Sequence, residues 1–407
     1  MNKKFVILGL GKQGEAALYD IVKNNDADKI IVIDNRPDLY QYLERYPSDR
    51  ITGQKFDIRN EEKLFPVLKD ADMVIEALPG PFAFSTGRLA AKLGVNLVSS
   101  MYYIDPSEED PEKIQNRKHE IQGINKQAKE KGVTILTEFG LDPGIDLILG
   151  KKALSEVDQL DEFHSYGAGL PDPDSADNPL NYKFTWSPIG VMRAYNRPST
   201  IIRGGQTVII DGKKMFEPDN CHFLEIEELG TNFECYPNGN SLHYAEVFGI
   251  RDTIKEMGRY TCRFPGHCAF WEKMAKCGFL DEEPVQVGNL TVSPVQFTAS
   301  LLASQKQFQL ADNEQDITLL VVDVKGKREG QNKHIRYQLI DRRDMETGFT
   351  SMQRTVGFTM ALGARLILEG KIKQKGLLSP IDVPYELVIP ELAKYGILIS
   401  RQEIPWE

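Results

Sequence analysis

The chain has 407 residues, of which 41% are hydrophobic and 27% are charged, and its formal net charge is −10 at pH 7. This composition is typical of a globular enzyme, and the length predicts two domains because a single core rarely grows so large. The negative charge argues against nucleic acid and an anionic membrane surface as partners. The sequence shows no apolar run of membrane-spanning length and no signal-peptide pattern, so we expect a cytoplasmic protein.

A glycine motif near the amino terminus predicts a nucleotide-binding turn. The apolar residues 5–8 lead into Gly-x-Gly-x-x-Gly, and a helical pattern follows. In this order a strand, a tight turn and a helix hold the pyrophosphate of a dinucleotide, because glycine permits close approach and the first helical N–H groups face the phosphates. We predict cofactor contacts at Gly9, Gly11, Lys12, Gln13 and Gly14.

The end of the second predicted strand bears on the type of cofactor. Residues 30–33 are apolar and end at Asp34, 20 positions after Gly14. A carboxylate at this spacing accepts the ribose hydroxyls of the adenosine and repels a 2′-phosphate, which favours NAD. Asn35 and Arg36 follow directly, and an arginine at this place can pair with a phosphate, so NADP stays possible.

Four more strands are predicted at residues 51–56, 72–78, 95–99 and 133–137, with helical patterns between them. This alternation indicates an α/β fold with a Rossmann doubly wound parallel sheet, in which ligands bind beyond the carboxyl ends of the strands. At these ends the predicted cofactor contacts are Asp57, Ile58, Ala77, Leu78, Pro79, Ser100 and Met101. For Asp57 and Ile58, a plain turn is the alternative to a position beside the adenine.

The pattern changes after residue 140. Residues 207–210 and 213–216 flank an Asp-Gly pair and predict a hairpin, and residues 317–324 and 335–340 predict a longer one. We predict a Rossmann domain at 1–140 and a substrate-binding α+β domain with a mostly antiparallel sheet at 141–350. Residues 351–407 are predicted to form a helix and a tail that return to the Rossmann domain.

Five cysteines and three of the six histidines lie in one region of the second domain, between residues 221 and 277. They contain no Cys-x-x-Cys pair, and their spacings match no common zinc site. We therefore expect free thiols in a reducing compartment and no bound metal.

Four stretches carry a resemblance to a known family: 140–146 (GLDPGID), 178–187 (NPLNYKFTWS), 258–267 (GRYTCRFPGH) and 344–355 (DMETGFTSMQRT). With the glycine motif they span nearly the whole chain and resemble the saccharopine dehydrogenase superfamily. The resemblance implies an NAD(P)-dependent amine dehydrogenase that exchanges a hydride at a carbon bearing nitrogen. It also implies a homodimer, with the second domain providing the dimer contact.

Within this superfamily the sequence is most similar to lysine 6-dehydrogenase, and the glutamate-forming saccharopine dehydrogenase (saccharopine reductase) is the close rival. Residues 197–203 and 347–368 look like the lysine enzyme, whereas residues 169–171 and 235–241 look like the reductase. Reductases carry an arginine after Tyr-Pro-Asn that would clamp a substrate carboxylate, but here Gly239 follows Asn238.

The similarity to lysine 6-dehydrogenase implies NAD-dependent oxidation of the lysine ε-amine to a semialdehyde that closes to a cyclic imine. The alternatives are oxidation of the secondary amine of saccharopine, a related polyamine-forming reductase, and a non-enzymatic sensor or scaffold that binds NAD.

Five residues are candidates for work on the substrate, and each has a structural alternative. Asp142 would bind the substrate ammonium or take its proton, or else cap the next helix. Lys183 would act as a base or hold a carboxylate, His267 would shuttle protons, and Arg263 would clamp a carboxylate. Tyr102 would touch nicotinamide or substrate, with packing as the alternative.

Overall fold

The computed structural model describes residues 3–46, 48–105, 108 and 110–406. The chain forms two compact units. The first comprises Met1–Ile148 and Gln353–Ile397, and the second comprises Leu149–Met352 and Leu398–Glu407. None of the helices in the described part of the chain has both the length and the apolar character needed to cross a membrane.

The strands and helices alternate in the first part of the chain, and strands dominate the second. The strands are β1 (Lys4–Leu8), β2 (Lys29–Asp34), β3 (Ile51–Lys55), β4 (Met73–Glu76), β5 (Asn96–Ser99), β6 (Thr134–Leu136), β7 (Gln159–Pro171), β8 (Ser199–Arg203), β9 (Gln206–Ile210), β10 (His222–Ile226), β11 (Thr231–Pro237), β12 (Glu256–Arg263), β13 (Val285–Val287), β14 (Leu290–Val292), β15 (Asp316–Arg328), β16 (Gln331–Arg342), β17 (Gly376–Leu378) and β18 (Ile399–Glu403). The helices are α1 (Lys12–Lys23), α2 (Leu39–Leu43), α3 (Glu61–Lys69), α4 (Gly80–Leu93), α5 (Pro111–Lys131), α6 (Ile145–Leu154), α7 (Pro188–Ala194), α8 (Ser241–Phe248), α9 (His267–Lys276), α10 (Pro294–Ala303), α11 (Ser351–Gln353), α12 (Thr359–Leu368) and α13 (Tyr385–Ala393).

A seven-stranded parallel sheet forms the centre of the first unit, in the order β17-β6-β5-β4-β1-β2-β3. The central strands β1, β2 and β4 are almost continuously apolar, because helices cover both faces of such sheets, whereas the edge strand β3 is mostly polar. The helix α12, which follows a π-helical turn at Arg354–Phe358, packs on α1, β4 and β5. The predicted doubly wound sheet is confirmed.

The second unit contains a nine-stranded mixed sheet. Its main path is β10-β11-β12-β7-β15-β16-β18, and β8 pairs with both β12 and β9. The β12–β7 pair is parallel, and the other pairs are antiparallel. One face of this sheet packs on α7, α9 and α10 to form the core of the unit. The second domain is therefore α+β, as predicted.

The structure corrects the expected destination of the carboxy-terminal tail. Residues 353–397 belong to the first unit, but Leu398–Glu407 belong to the second. There β18 extends the mixed sheet by pairing with β16. Ile399 is the only apolar residue of β18, so the sequence gives a weak strand pattern, and an edge position beside β16 decides the conformation.

One predicted hairpin is wrong and one is confirmed. Strand β9 pairs backward with β8 through Gly204 and Gly205, whose φ values of +56° and +74° suit a two-residue turn. Asp211 instead caps a short 3₁₀ turn by accepting the Lys213 N–H at 2.8 Å. The second predicted hairpin forms as β15 and β16, which turn at Glu329 and Gly330.

Candidate cofactor and substrate sites

The glycine motif forms the turn from β1 into α1. Gly9 has a φ of +88°, and a Cβ there would lie 2.6 Å from the carbonyl oxygen of Ala77. A Cβ on Gly14 would lie 1.9 Å from the carbonyl oxygen of Gly9, whereas one on Gly11 would meet no atom within 4 Å. Gly9 and Gly14 thus allow the turn and the helix packing, and Gly11 leaves open space in which a pyrophosphate can approach.

The first turn of α1 offers groups suited to an anion. Its N-cap residue Gly11 has no side chain to occupy the free N–H groups of the helix. Gln13 Oε1 is also buried without a hydrogen-bond partner among the described residues, but as an acceptor it suits a donor group and not the anion itself. Gln353 Nε2 donates to the Lys12 carbonyl oxygen at 3.1 Å and so helps to hold the start of α1 in place. The turn from Gly9 to Gly14 therefore leaves room and free N–H groups for a dinucleotide pyrophosphate, and the contacts of its residues with the cofactor stay a prediction.

Asp34 and Arg36 lie where the adenosine ribose is expected. The Asp34 carboxylate accepts the Leu10 N–H at 2.5 Å and the Arg36 N–H at 2.7 Å, so it ties the glycine turn to the end of β2. The Arg36 guanidinium donates to Leu10 O at 3.0 Å, pairs with Asp38 and lies 4.3 Å from the centre of the Tyr42 ring. Asn35, also predicted, is exposed. The Arg36 guanidinium is thus held beside Asp34, the carboxylate on which the prediction of NAD was based.

The two predicted residues after β3, Asp57 and Ile58, both have contacts within the protein. The Asp57 carboxylate accepts two hydrogen bonds from Arg59 Nε at 3.0 Å, and the bonds from Arg59 lower the pKa of Asp57 to about 2. Ile58 packs against the core of the first unit. The predicted contact of these two residues with adenine stays a prediction.

The loops after β4 and β5 contain the other predicted cofactor residues. Ala77 and Leu78 are half-buried, and the exposed Pro79 precedes α4. Ser100 is buried and Met101 is half-buried. Glu76, the last residue of β4, was not among the predicted site residues; its carboxyl is fully buried, and burial raises its pKa to about 7. A lone acid at the end of an otherwise apolar strand could have identified it.

The loop after β6 contains Asp142 and lies between two other acids in sequence, Glu138 and Asp146. Asp142 is half-buried and precedes Pro143 in a cis peptide bond, and α6 begins at Ile145. Asp146 Oδ1 accepts the Gly144 N–H at 2.8 Å, and burial raises the pKa of Asp146 to about 8. Glu138, which we also missed, has a φ of +58°, a conformation uncommon for residues other than glycine.

Backbone hydrogen bonds join this loop to the one that contains Tyr102. Glu138 N donates to Met101 O at 3.2 Å, and Phe139 N donates to Ser99 O at 2.9 Å. Tyr102 itself is half-buried. The first unit therefore gathers the loops that contain Tyr102 and Asp142 at the carboxyl edge of its sheet, where ligands of such folds bind.

In the second unit, Lys183 is an ion-paired residue. Its Nζ lies 3.0 Å from Asp177 Oδ1 and also donates to Glu314 Oε1. Burial opposes the charge on Lys183, but the hydrogen bonds from the ammonium to Glu314 and Asp177 outweigh it and raise the pKa of the lysine. Lys183 is thus held protonated in this arrangement, and the structure gives no support to its use as a base.

Arg263 and His267 lie together in an aromatic cluster. The Arg263 guanidinium is 2% exposed, donates to Tyr195 Oη at 3.2 Å and to Cys262 O at 2.9 Å, and lies 4.9 Å from the Tyr182 ring centre. It forms no ion pair with the described acids. The His267 ring lies 5.2 Å from that of Tyr195, and its Nε2 is buried without a partner within the described ranges. Burial, followed by the charge of Arg263, lowers the pKa of His267 well below its usual value.

The cysteines of this unit are free thiols. Cys235 and Cys262 are neighbours on β11 and β12, with their sulfurs 3.1 Å apart. Among the described residues, no three His, Cys, Asp or Glu side chains are grouped so that they could hold one metal ion.

Comparison with protein-family models assigns the chain. Residues 5–136 match the saccharopine dehydrogenase NADP-binding domain, and residues 140–397 match the saccharopine dehydrogenase C-terminal domain. The chain belongs to the saccharopine dehydrogenase family. This confirms the resemblance found in the sequence, and the model that matches the first part of the chain describes a nucleotide-binding domain.

Relatives within the saccharopine dehydrogenase family align with nearly the whole chain. Saccharopine dehydrogenase [NADP(+), L-glutamate-forming] of Saccharomyces cerevisiae is 24% identical, and the alignment covers 99% of this chain and 100% of the relative. Alpha-aminoadipic semialdehyde synthase of Arabidopsis thaliana is 27% identical over 86% of this chain, and the mitochondrial enzyme of that name from Bos taurus is 24% identical over 98%. The chain spans only 38% and 48% of these two longer proteins.

The fold is that of a solved member of the family. The apo structure of saccharopine dehydrogenase (L-Glu forming) from Saccharomyces cerevisiae has a TM-score of 0.82 with this chain, at 23% identity, and the match covers 99% of this chain and 100% of the other. The family domain and this yeast relative are both named for NADP, which does not support our first preference for NAD.

Proposed function

We propose that the chain is an NADP-dependent amine dehydrogenase that exchanges a hydride at a carbon bearing nitrogen, with saccharopine as the first candidate substrate. The observation that carries the proposal is the Arg263 guanidinium, buried among aromatic rings without an acidic partner in the described part of the chain. An unpaired buried charge is costly, and the carboxylate of an amino-acid substrate would compensate it.

The neighbours of Arg263 suit an amine substrate. Burial and the charge of Arg263 lower the pKa of His267, so the ring is held neutral and its free Nε2 can accept a hydrogen bond from a substrate nitrogen. The buried hydroxyl of Tyr182 also lacks a hydrogen-bond partner among the described residues. These groups would orient a carboxylate and a nearby amine, and the buried surroundings would exclude water.

The first unit would hold the cofactor through the Gly9–Gly14 turn. Bound nicotinamide supplies the hydride acceptor of such reactions. In this proposal Asp142 binds the substrate ammonium or takes its proton, and Tyr102 contacts the nicotinamide or the substrate. Lys183 keeps the segment around Tyr182 in place through its pairs with Asp177 and Glu314, rather than moving a proton.

Arg197 supports saccharopine over lysine. Gly239 supplies no side chain after Asn238, but Arg197 Nη2 donates to Asn238 Oδ1 at 3.0 Å and places a guanidinium beside this turn. Arg197 pairs with none of the described acids. Saccharopine carries more carboxylates than lysine, so two arginines without acidic partners fit it better.

The second candidate is lysine 6-dehydrogenase activity, which is favoured by the absence of an arginine at position 239. Purified protein should be incubated with NADP or NAD and either saccharopine or lysine, and the formation of reduced cofactor measured. We expect turnover of saccharopine with release of glutamate. Turnover of lysine with release of ammonia, and none of saccharopine, would establish the second candidate. Tight cofactor binding without turnover of either would indicate a sensor or scaffold.

A further inference from the structure

Glu76 is a buried carboxyl that the proposed hydride transfer does not use. It ends β4, which lies between β1 and β5 in the parallel sheet, and its side chain is 0% exposed. Burying a carboxyl is unfavourable unless hydrogen bonds compensate for the lost water. A carboxyl at this place therefore requires specific partners.

Those partners belong to two different loops. The Leu78 N–H donates to Glu76 Oε1 at 2.9 Å, and the Ser99 hydroxyl donates to Oε2. Ser99 Oγ in turn accepts the Met101 N–H at 3.0 Å. A single carboxyl thus connects the loop that follows β4 with the loop that follows β5.

The loop after β4 lies beside the glycine turn, and the loop after β5 lies beside the start of α4. The Ala77 carbonyl oxygen and Leu78 Cδ2 lie 2.6 Å and 3.1 Å from the place that a Cβ on Gly9 would occupy. Met101 Sδ lies 4.0 Å from the corresponding place on Gly80, the first residue of α4. The two loops connected by Glu76 therefore lie near the glycine turn, at the carboxyl edge of the sheet where dinucleotides bind.

We propose that Glu76 is a positioning residue that fixes residues 77–80, Ser100 and Met101 in the shape that receives the nicotinamide end of the cofactor. The proposal rests on the proposed function, because it assumes a bound dinucleotide. The carboxylate accepts from both loops at once. An amide accepts through one oxygen only, so in Glu76→Gln, when this oxygen accepts the Leu78 N–H, the Ser99 hydroxyl meets an N–H group and loses its bond to a charged acceptor.

The test is NADPH binding to the full-length protein, followed by cofactor fluorescence without amine substrate. We expect Glu76→Gln and Ser99→Ala each to raise the Kd for NADPH roughly tenfold, the effect of losing one hydrogen bond to a charged group. The double variant should bind about as weakly as either single variant, because both changes break the same connection. The KM for the amine should change less than about twofold, since a positioning role on the cofactor side leaves substrate contacts intact.

The control variant is Asp20→Asn, which alters another buried carboxyl of the first unit, bound to Arg365 on α12. It should lower the thermal midpoint without changing the Kd for NADPH. Wild-type affinity in Glu76→Gln and Ser99→Ala, or weakened affinity in Asp20→Asn to the same degree, would overturn the positioning role. If Glu76→Gln does not fold, Ser99→Ala decides. If the unaltered protein binds neither NADPH nor NADH, the proposed function is wrong as well. This outcome differs from a failure of the positioning role alone, in which the unaltered protein still binds the cofactor.

Discussion

Arg365 Nη2 donates to Asp20 Oδ2 at 2.6 Å and joins α12 to α1 across 345 positions of sequence. The same guanidinium donates through Nε to Asp26 at 2.9 Å. Asp20 is 1% exposed, and burial raises its pKa to about 6 in spite of the charge of Arg365. This contact fastens the segment that returns from the second unit onto the nucleotide-binding helix.

Removing this guanidinium should destabilise the first unit. In Arg365→Met two buried or half-buried carboxylates lose their cation, and the loss of one partner of such a pair costs about 3–5 kcal/mol. The free energy of unfolding in urea at pH 8 measures it. The loss should shrink at pH 5, because an unpaired Asp20 then takes a proton in the folded state. A Lys371→Met variant, which breaks the exposed pair with Glu369, should show no measurable change.

Asp146 should make the protein less stable as pH rises. Burial raises its pKa from 3.8 to about 8, so between these values the folded state holds a proton that the unfolded state has released. Stability from this group is present below about pH 4 and falls by about 1.4 kcal/mol per pH unit as the pH approaches 8.

The comparison of wild type with Asp146→Asn isolates this effect. The amide keeps the oxygen that accepts the Gly144 N–H but cannot ionise, so the variant should lose less stability between pH 5 and 8. Urea unfolding at several pH values gives the two slopes. Equal slopes would contradict a buried, neutral Asp146. Asp312→Asn, at a fully exposed position, serves as the control and should leave the wild-type slope unchanged.

Arg263 should determine the affinity for the amine substrate. We expect Arg263→Met to raise the KM about tenfold to a hundredfold, the loss of one charge-assisted contact to a carboxylate, and to leave the Kd for NADPH unchanged. Arg193→Met removes a surface arginine of the same unit that pairs with Glu282, and it should leave the KM unchanged. An unchanged KM in a folded Arg263→Met protein would remove the main support for the substrate site.

Arg36 should decide between the two nicotinamide cofactors. Its guanidinium lies beside Asp34 near the glycine turn, and it can pair with a 2′-phosphate. We expect Arg36→Ala to weaken NADP binding about tenfold or more and to leave NAD binding within about twofold. Titration with both cofactors checks this. Wild type that prefers NAD, with Arg36→Ala unchanged for NADP, would restore the original preference for NAD.

Lys183 should behave as a structural ion pair. Because its ammonium is bound by Asp177 and Glu314, Lys183→Met should lower the thermal midpoint. The pH profile of kcat/KM should keep its shape, because a protonated lysine supplies no base in the wild type. A profile that loses one limb in Lys183→Met would show that the lysine does move a proton.

Local patterns were sufficient for much of the fold. The strand, glycine turn and helix at residues 5–23 interact with near neighbours in sequence, so their geometry follows from the residue types themselves. The same holds for the β15–β16 hairpin, where long apolar strands flank a polar segment. The hairpin at residues 207–216 was wrong because Gly204-Gly205 offered a competing turn, and pairing of β8 with β12 selects it.

The sequence by itself determined the glycine turn between β1 and α1 and the family to which the chain belongs, because these depend on short motifs. Only the tertiary structure decided which charges are compensated. In the folded chain Lys183 pairs with Glu314, 131 positions away, and Arg263 has no acidic partner among the described residues. Glu76 connects two loops through its hydrogen bonds. The physical reason is that burial and partners set the state of an ionisable side chain, and both come from segments remote in sequence.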